Sequence, residues 1–167
     1  MAERRSALLD AMEQELAERG YAGATVQRVA RRAGLAPGLV HYYFGRKLDL
    51  LLGVVERLRE VLADRLAERP ATVDGVVDAC LALPGDPRAV RCAVVLSAEA
   101  VRDAEVRAAW SAVLLWLRGR LEAHLSPAEA SAVLGAIVGS WQLGSVGCPP
   151  PTGTAAEAVK ALVRGAR

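Results

Sequence analysis

The sequence predicts an all-α chain of about nine helices, with a compact N-terminal unit over residues 1–46 and a longer helical half over 47–167. Three observations carry this. Almost no segment alternates apolar and polar residues with period two, and apolar residues recur at helical spacing throughout. Gly, Pro and Ser interrupt that spacing at intervals suited to short connections. Of the 167 residues 53% are hydrophobic, yet 32 are Ala, so the larger apolar side chains stay near the share of an ordinary soluble domain. The length suits one domain, or two small helical ones sharing a core.

The elements follow in order. Over about 3–19, Leu8, Met12 and Leu16 recur every four residues, and Gly20 can take the left-handed cap that ends a helix. Thr25 opens a second helix as N-cap, with Val26, Val29, Ala30 and Ala33 facing inward and Gly34 closing it. Pro37 sits at the first-turn position proline tolerates, and the third helix runs to Phe44. A long fourth helix spans roughly 47–69, with Leu51, Val54, Val55, Leu58, Val61, Leu62 and Leu66 as its apolar stripe and Pro70 ending it. Five further helices fall near 73–83, 88–101, 104–125, 128–147 and 155–164. They are separated by Pro84-Gly85-Asp86-Pro87, Ser126-Pro127 and Pro149-Pro150-Pro151.

Composition excludes several classes. The 21 basic and 19 acidic residues give a net charge of +2, which is no polyelectrolyte tail. Cys80, Cys92 and Cys148 are odd in number and widely spaced, without a CxxC pair, so neither a disulfide framework nor a zinc site is expected. A reducing, cytoplasmic setting follows as an expectation. Asp10, Glu13 and Glu15 interrupt the apolar run a signal peptide needs. Residues 130–156 carry no charge, but their apolar core, 131–147, has 17 residues, is weakly hydrophobic and reads as a buried helix; no membrane span is expected. With two His, no nucleophile–base arrangement, no paired carboxylates on one face and no Gly-rich phosphate loop, the sequence predicts neither an enzyme nor a cofactor.

The informative segment is 19–48. Arg19, Arg28, Arg31, Arg32, Arg46 and Lys47 give +6 with no Asp or Glu, and Tyr42, Tyr43 and Phe44 supply three of the seven aromatics. Arg and Lys neutralise phosphates and release counterions, and Tyr hydroxyls donate to phosphate oxygens. The helices at 25–33 and 37–44 are joined by Gly34-Leu35-Ala36, a three-residue turn containing Gly. That is the helix-turn-helix pattern, whose second helix enters the major groove by its N-terminal end. Val40 and Phe44 lie four apart and face inward beside Leu35, leaving Gly38, Leu39, His41, Tyr42 and Tyr43 toward the other surfaces. The competing interpretation makes Tyr42 and Tyr43 half-buried core aromatics and the arginines a solvated face.

The run from Leu8 to Val54 resembles the N-terminal DNA-binding domain of TetR-family transcriptional regulators. The likeness is densest in Glu18-Arg19-Gly20-Tyr21, in Thr25 to Phe44 and in Lys47. The resemblance implies a homodimer that represses transcription from a palindromic double-stranded DNA operator and is released by a small-molecule effector. It makes 1–46 the DNA-binding domain and 47–167 the ligand-binding and dimerisation domain. It also implies that Thr25 caps its helix and touches a phosphate, that Gln27 approaches the groove beside Arg28, and that Pro37, Gly38 and Leu39 present the recognition helix to base edges. His41, Tyr42 and Tyr43 would reach phosphates or bases, and Lys47 would clamp a phosphate at a helix start that already favours anions. Three positions depart from the family pattern. Leu39 replaces a small hydroxyl residue, leaving apolar contact with a thymine methyl; His41 replaces Tyr; and Glu15-Leu16 replaces a Leu-Phe pair.

Beyond residue 54 the signals are weaker. Trp110 shares a stripe with Leu114, Leu117 and Leu121, and Trp116 shares one with Ala109, Val113 and Arg120. Trp110 and Trp141, with Cys80, Cys92 and Val95, are candidate walls of a pocket for a largely apolar ligand, or ordinary packing. In the helix at 128–147, Ala132, Ala136, Ser140 and Gly144 recur every four residues beside Gly135 and Gly139. Such a ridge lets another helix approach closely, either inside the monomer or across a dimer formed with the helix at 155–164. Two further classes stay open at the sequence level: a redox sensor switching through Cys80, Cys92 or Cys148, and a helical interaction module without DNA binding.

Overall fold

Gly20 decides how the first helix ends. In the computed structural model, which describes residues 2–81, 87–148 and 155–165, α1 spans Ala2–Gly23 and is interrupted at Gly20, where φ is 67° and ψ is 178°. The glycine takes the left-handed backbone expected of it, but the chain then makes one more turn, with the Ala24 N–H donating to the Gly20 carbonyl at 3.1 Å, before leaving the helix. The short helices α2 (Val26–Arg32) and α3 (Pro37–Phe44) follow, then the long α4 (Lys47–Ala67) and α5 (Val73–Leu81). The remainder is α6 (Pro87–Arg102), α7 (Ala104–Glu122), α8 (Pro127–Ser145) and α9 (Ala155–Gly165), and there is no strand among the described residues. The all-α expectation holds. Residues 82–86 and 149–154, where a turn and the triple proline were expected to act, lie outside the described residues.

Helix ends in the second half fall within three residues of those expected, and caps fix several of them. Asp103 caps α7 by accepting from the N–H groups of Glu105 and Val106 at 2.8 and 3.0 Å. Ser126 caps α8 while Glu129 accepts from the Ser126 N–H at 2.9 Å, so that helix starts at Pro127. Gly147, at φ 73°, closes it with the Cys148 N–H reaching back to the Leu143 carbonyl at 2.9 Å.

One apolar core runs through both halves of the chain. It begins with Leu8, Met12 and Leu16 of α1, passes through Leu50, Leu51 and Val54 of α4, and continues to Leu96, Trp110, Leu117, Ile137 and Trp141. α1 packs on α2, α4 and α6; α6 packs on α7 and α8; α5 and α8 receive α9. Leu50, absent from the expected stripe of α4, is fully buried. Val61, expected there, is 37% exposed because it lines an open groove with Arg65 and Arg88 instead of meeting another helix. No helix among the described residues is long and apolar enough to cross a membrane.

Candidate nucleic-acid interface

The turn between α2 and α3 is built by backbone chemistry. Thr25 Oγ1 accepts from the Arg28 N–H at 3.3 Å and starts α2. At its end Gly34, at φ 67°, lets the Leu35 N–H reach the Ala30 carbonyl at 2.9 Å and its own N–H reach Arg31 at 3.2 Å. This pair of bonds reverses the chain in three residues, a conformation only glycine adopts without strain. Pro37 then opens α3, where its missing N–H loses nothing.

α3 is anchored on one side and open on the other. Val40 and Phe44 are 1% and 7% exposed, and the Arg5 guanidinium lies 5.1 Å from the Phe44 ring centre. Pro37, Gly38, His41 and Tyr42 face outward, with Tyr42 70% exposed, while Leu39 and Tyr43 are half-buried. The Tyr42 and Tyr43 rings meet edge to face at 5.1 Å, so each orients the other. His41 Nδ1 donates to the Gly45 carbonyl at 2.8 Å. A carbonyl can only accept, so the proton sits on Nδ1 and Nε2 is left for a partner. Thr25 and Gln27 are exposed beside α3, and Arg28 is half-buried there.

The fold neutralises part of the expected cationic surface. Arg32 donates to Glu15 at 2.7 Å and to both oxygens of Glu18 at 2.9 and 2.6 Å, and Arg19 pairs with Glu15 at 3.4 Å. Arg46 is shared by Asp49 and Glu105. These bonds hold its guanidinium far above the usual range for loss of its proton and hold Asp49 below the usual carboxylate range. Among the described residues no carboxylate pairs with Arg28 or Arg31. Lys47 is turned inward: its Nζ donates to the Tyr21 carbonyl and lies 4.0 Å from the Tyr21 ring centre. Burial pulls this ammonium below the usual lysine range, against the opposing pull of Glu99. Burial also raises the Tyr21 phenol, with Asp103 and Glu99 adding to it. Counting charges over 19–48 missed these partners because they come from α1, α6 and α7 and, for Asp49, from the next residue of α4 beyond the stretch.

The residues expected to serve a ligand gather in the second half. Trp110 and Trp141 are 3% and 2% exposed and pack on each other with ring centres 6.5 Å apart. Trp110 Nε1 donates to Ser97 Oγ and Trp141 Nε1 to the Cys80 carbonyl, each at 3.1 Å. Burial pushes the Cys80 thiol up to about 12, so it stays protonated near neutrality. Val95 is half-buried, and Cys92 lies apart from this cluster, its thiol 3.5 Å from the Glu13 carbonyl of α1. Cys148 is exposed.

The small residues of α8 form an outward ridge. Ala132, Gly135 and Gly144 are exposed, and Ala136, Gly139 and Ser140 are half-buried. A Cβ added at Gly135, Gly139 or Gly144 would meet nothing within 4 Å, so these glycines serve no close approach inside the monomer. Val133, Ile137 and Trp141 on the neighbouring face fill the core. Leu143, Val146 and Leu162 add exposed apolar surface on α8, its C-cap and α9.

Comparison with known proteins matches this geometry. Residues 8–54 match the family described as bacterial regulatory proteins, tetR family. The HTH-type transcriptional regulator BetI of Rhizobium meliloti is 39% identical over 61 residues, which cover 36% of this chain and 30% of that relative's length. Among solved structures, a TetR transcription regulator from Haloarcula marismortui has a TM-score of 0.83 at 19% identity, covering 99% of this chain and 96% of its own. The multidrug binding protein EbrR complexed with malachite green has a TM-score of 0.74 at 22% identity, covering 96% of each chain. These structural likenesses extend the shared fold over both halves.

Proposed function

We propose that this chain is a TetR-family transcriptional regulator, a reading supported by residues 8–54 and by the shared fold, and that it works as a homodimeric repressor that occupies a palindromic operator and leaves it when a small, largely apolar ligand binds. The observation that carries the reading is the exposure of α3. Its inner face is sealed by Val40 and Phe44, while Pro37, Gly38, His41 and Tyr42 stand free beside Thr25 and Gln27. Base readout belongs to Gly38, Leu39 and Gln27, and phosphate contact to Thr25, Arg28, His41, Tyr42, Tyr43 and Lys47. Leu39 keeps only apolar contact, so a thymine methyl is its natural neighbour.

The remaining assignments follow from the second half. The outward ridge of Ala132, Gly135, Ala136, Gly139, Ser140 and Gly144 with α9 is a surface on which a second copy can pack helix to helix. A two-fold pair places two recognition helices one duplex turn apart, about 34 Å. An apolar ligand entering at Trp110 and Trp141, with Cys80 hydrogen-bonded to Trp141 through its carbonyl, Val95 on α6 and Cys92 on the α1 side, would part α7 from α8 and move α6 against α1. EbrR, a neighbour in fold, is a multidrug binding protein whose structure holds malachite green. The division into a DNA-reading part, 1–46, and an effector part, 47–167, belongs to the same reading.

Selection of bound sequences from a random duplex library tests it. A palindrome with half-sites one turn apart is the expected product. A non-palindromic product or no enrichment would contradict it.

A further inference from the structure

Arg46 occupies a position that its side chain cannot serve. It is the N-cap of α4, where Ser, Thr, Asp or Asn normally places an oxygen to accept a helix N–H. A guanidinium has no acceptor. Asp49 covers the helix start instead, accepting from the Arg46 backbone N–H at 2.9 Å. The Arg46 side chain reaches out to α7: Nη1 and Nη2 donate to the two oxygens of Glu105 at 3.3 and 3.1 Å, while Nη2 also donates to Asp49 at 2.7 Å.

Glu105 is held by a fixed corner. Asp103 Oδ1 accepts from the Glu105 N–H at 2.8 Å, and Arg107 donates to the carbonyls of Ala100 and Val101 at 2.8 and 3.0 Å, closing the end of α6 onto the start of α7. A carboxylate whose backbone is fixed on the second half therefore pairs with the cation that lies between Gly45, just past the end of the recognition helix, and Lys47. The Arg46 and Glu105 side chains are 60% and 54% exposed. Exposed pairs of this kind are weak in water, whereas a phosphate beside a duplex also gains counterion release. Asp49 moves with α4, so it travels with Arg46 in either arrangement.

We propose that Arg46 is shared between Glu105 and a backbone phosphate of the duplex, so that the Arg46–Glu105 tie restrains DNA binding and opens when the protein sits on DNA. This rests on the DNA-binding reading above. It ties the α6–α7 corner to the junction where the recognition helix passes into α4.

The test compares the full-length protein with Glu105→Gln, Arg46→Gln and the double variant, binding a selected operator and an unrelated duplex over a salt series. Glu105→Gln is expected to tighten both about two- to fivefold with little change in salt slope, since Arg46 meets a phosphate in either complex, whereas Arg46→Gln is expected to lower the slope by about one charge. Glu105→Ala is expected to act in the same direction, which separates loss of the tie from any new contact made by the amide. In the Arg46→Gln background, Glu105→Gln is expected to change neither quantity. The proposal is overturned if Glu105→Gln leaves affinity unchanged or weakens it. It is equally overturned if the gain keeps its size without Arg46, since the carboxylate would then act by repelling DNA directly. A wild-type chain that binds duplex while Glu105→Gln is silent overturns only the tie; one that binds no duplex overturns both readings.

Discussion

Lys47 has one ammonium and two calls on it. In the free chain it donates to the Tyr21 carbonyl and covers the Tyr21 ring, and burial weakens its hold on its proton. In the proposed complex the same group would serve a phosphate at the first turn of α4, where free N–H groups and the helix dipole favour an anion. Lys47→Ala should therefore weaken binding to all duplexes alike, reduce the salt slope by about one charge, and cost about 1 kcal/mol of stability from the lost ring and carbonyl contacts. Binding titrations over salt and urea unfolding check both parts. A loss confined to the operator would contradict the phosphate role. The helix start and the basic residue there were legible in the sequence. The inward turn was not, because Tyr21 lies 26 positions away. Glu105 and Glu15, which answer Arg46 and Arg32, escaped for the same reason, lying 59 and 17 residues off.

At the scale of elements, the seating of α2 on α1 depends on a charge inside the fold. Glu15 is 3% exposed, and Arg32 answers it with one bond while its fork engages Glu18. A buried carboxylate is tolerated only when it is paired. Arg32→Ala should lower stability by roughly 2–3 kcal/mol, since Arg19 alone stays near Glu15. Arg32→Lys should recover only part of it, because an ammonium cannot reproduce the fork. Urea unfolding measures both, and an unchanged midpoint for Arg32→Ala would show that Glu15 needs no partner. Helix ends were well marked wherever Gly or Pro set them, as at Gly34 and Pro37. Gly20 marked a break correctly but not a stop, because whether a chain resumes its helix after one left-handed residue depends on what packs beyond it. Glu15-Leu16, which stand where the family pattern has Leu-Phe, are a buried ion-pair partner and a core leucine.

Over the whole molecule, legibility falls off after residue 54. The helix-turn-helix is specified by short-range signals: caps, one turn glycine, one proline and a two-residue inner face. Pockets and dimer faces depend on how distant helices meet, so the sequence yielded their helices and left Trp110 and Trp141 undecided between wall and filler. The α8 ridge allows a separation of fold from assembly. A Cβ at Gly139 meets nothing within 4 Å inside the monomer, which leaves room for Gly139→Leu to point outward, and loss of a helical glycine adds up to about 1 kcal/mol to the folded monomer. The variant should melt no lower than wild type as a monomer while sedimenting as a weaker dimer. An unchanged dimer would place the interface elsewhere. The account's central claim, that α3 lies against a duplex with Tyr42 outward, is tested most directly by a photoreactive phenylalanine derivative in place of Tyr42, irradiated with a labelled operator. The same group in place of the exposed Leu115 of α7 serves as the control. Crosslinking to DNA from position 42 and none from position 115 is the predicted result. Equal crosslinking from both positions, or none from position 42 in a complex that forms, would contradict it.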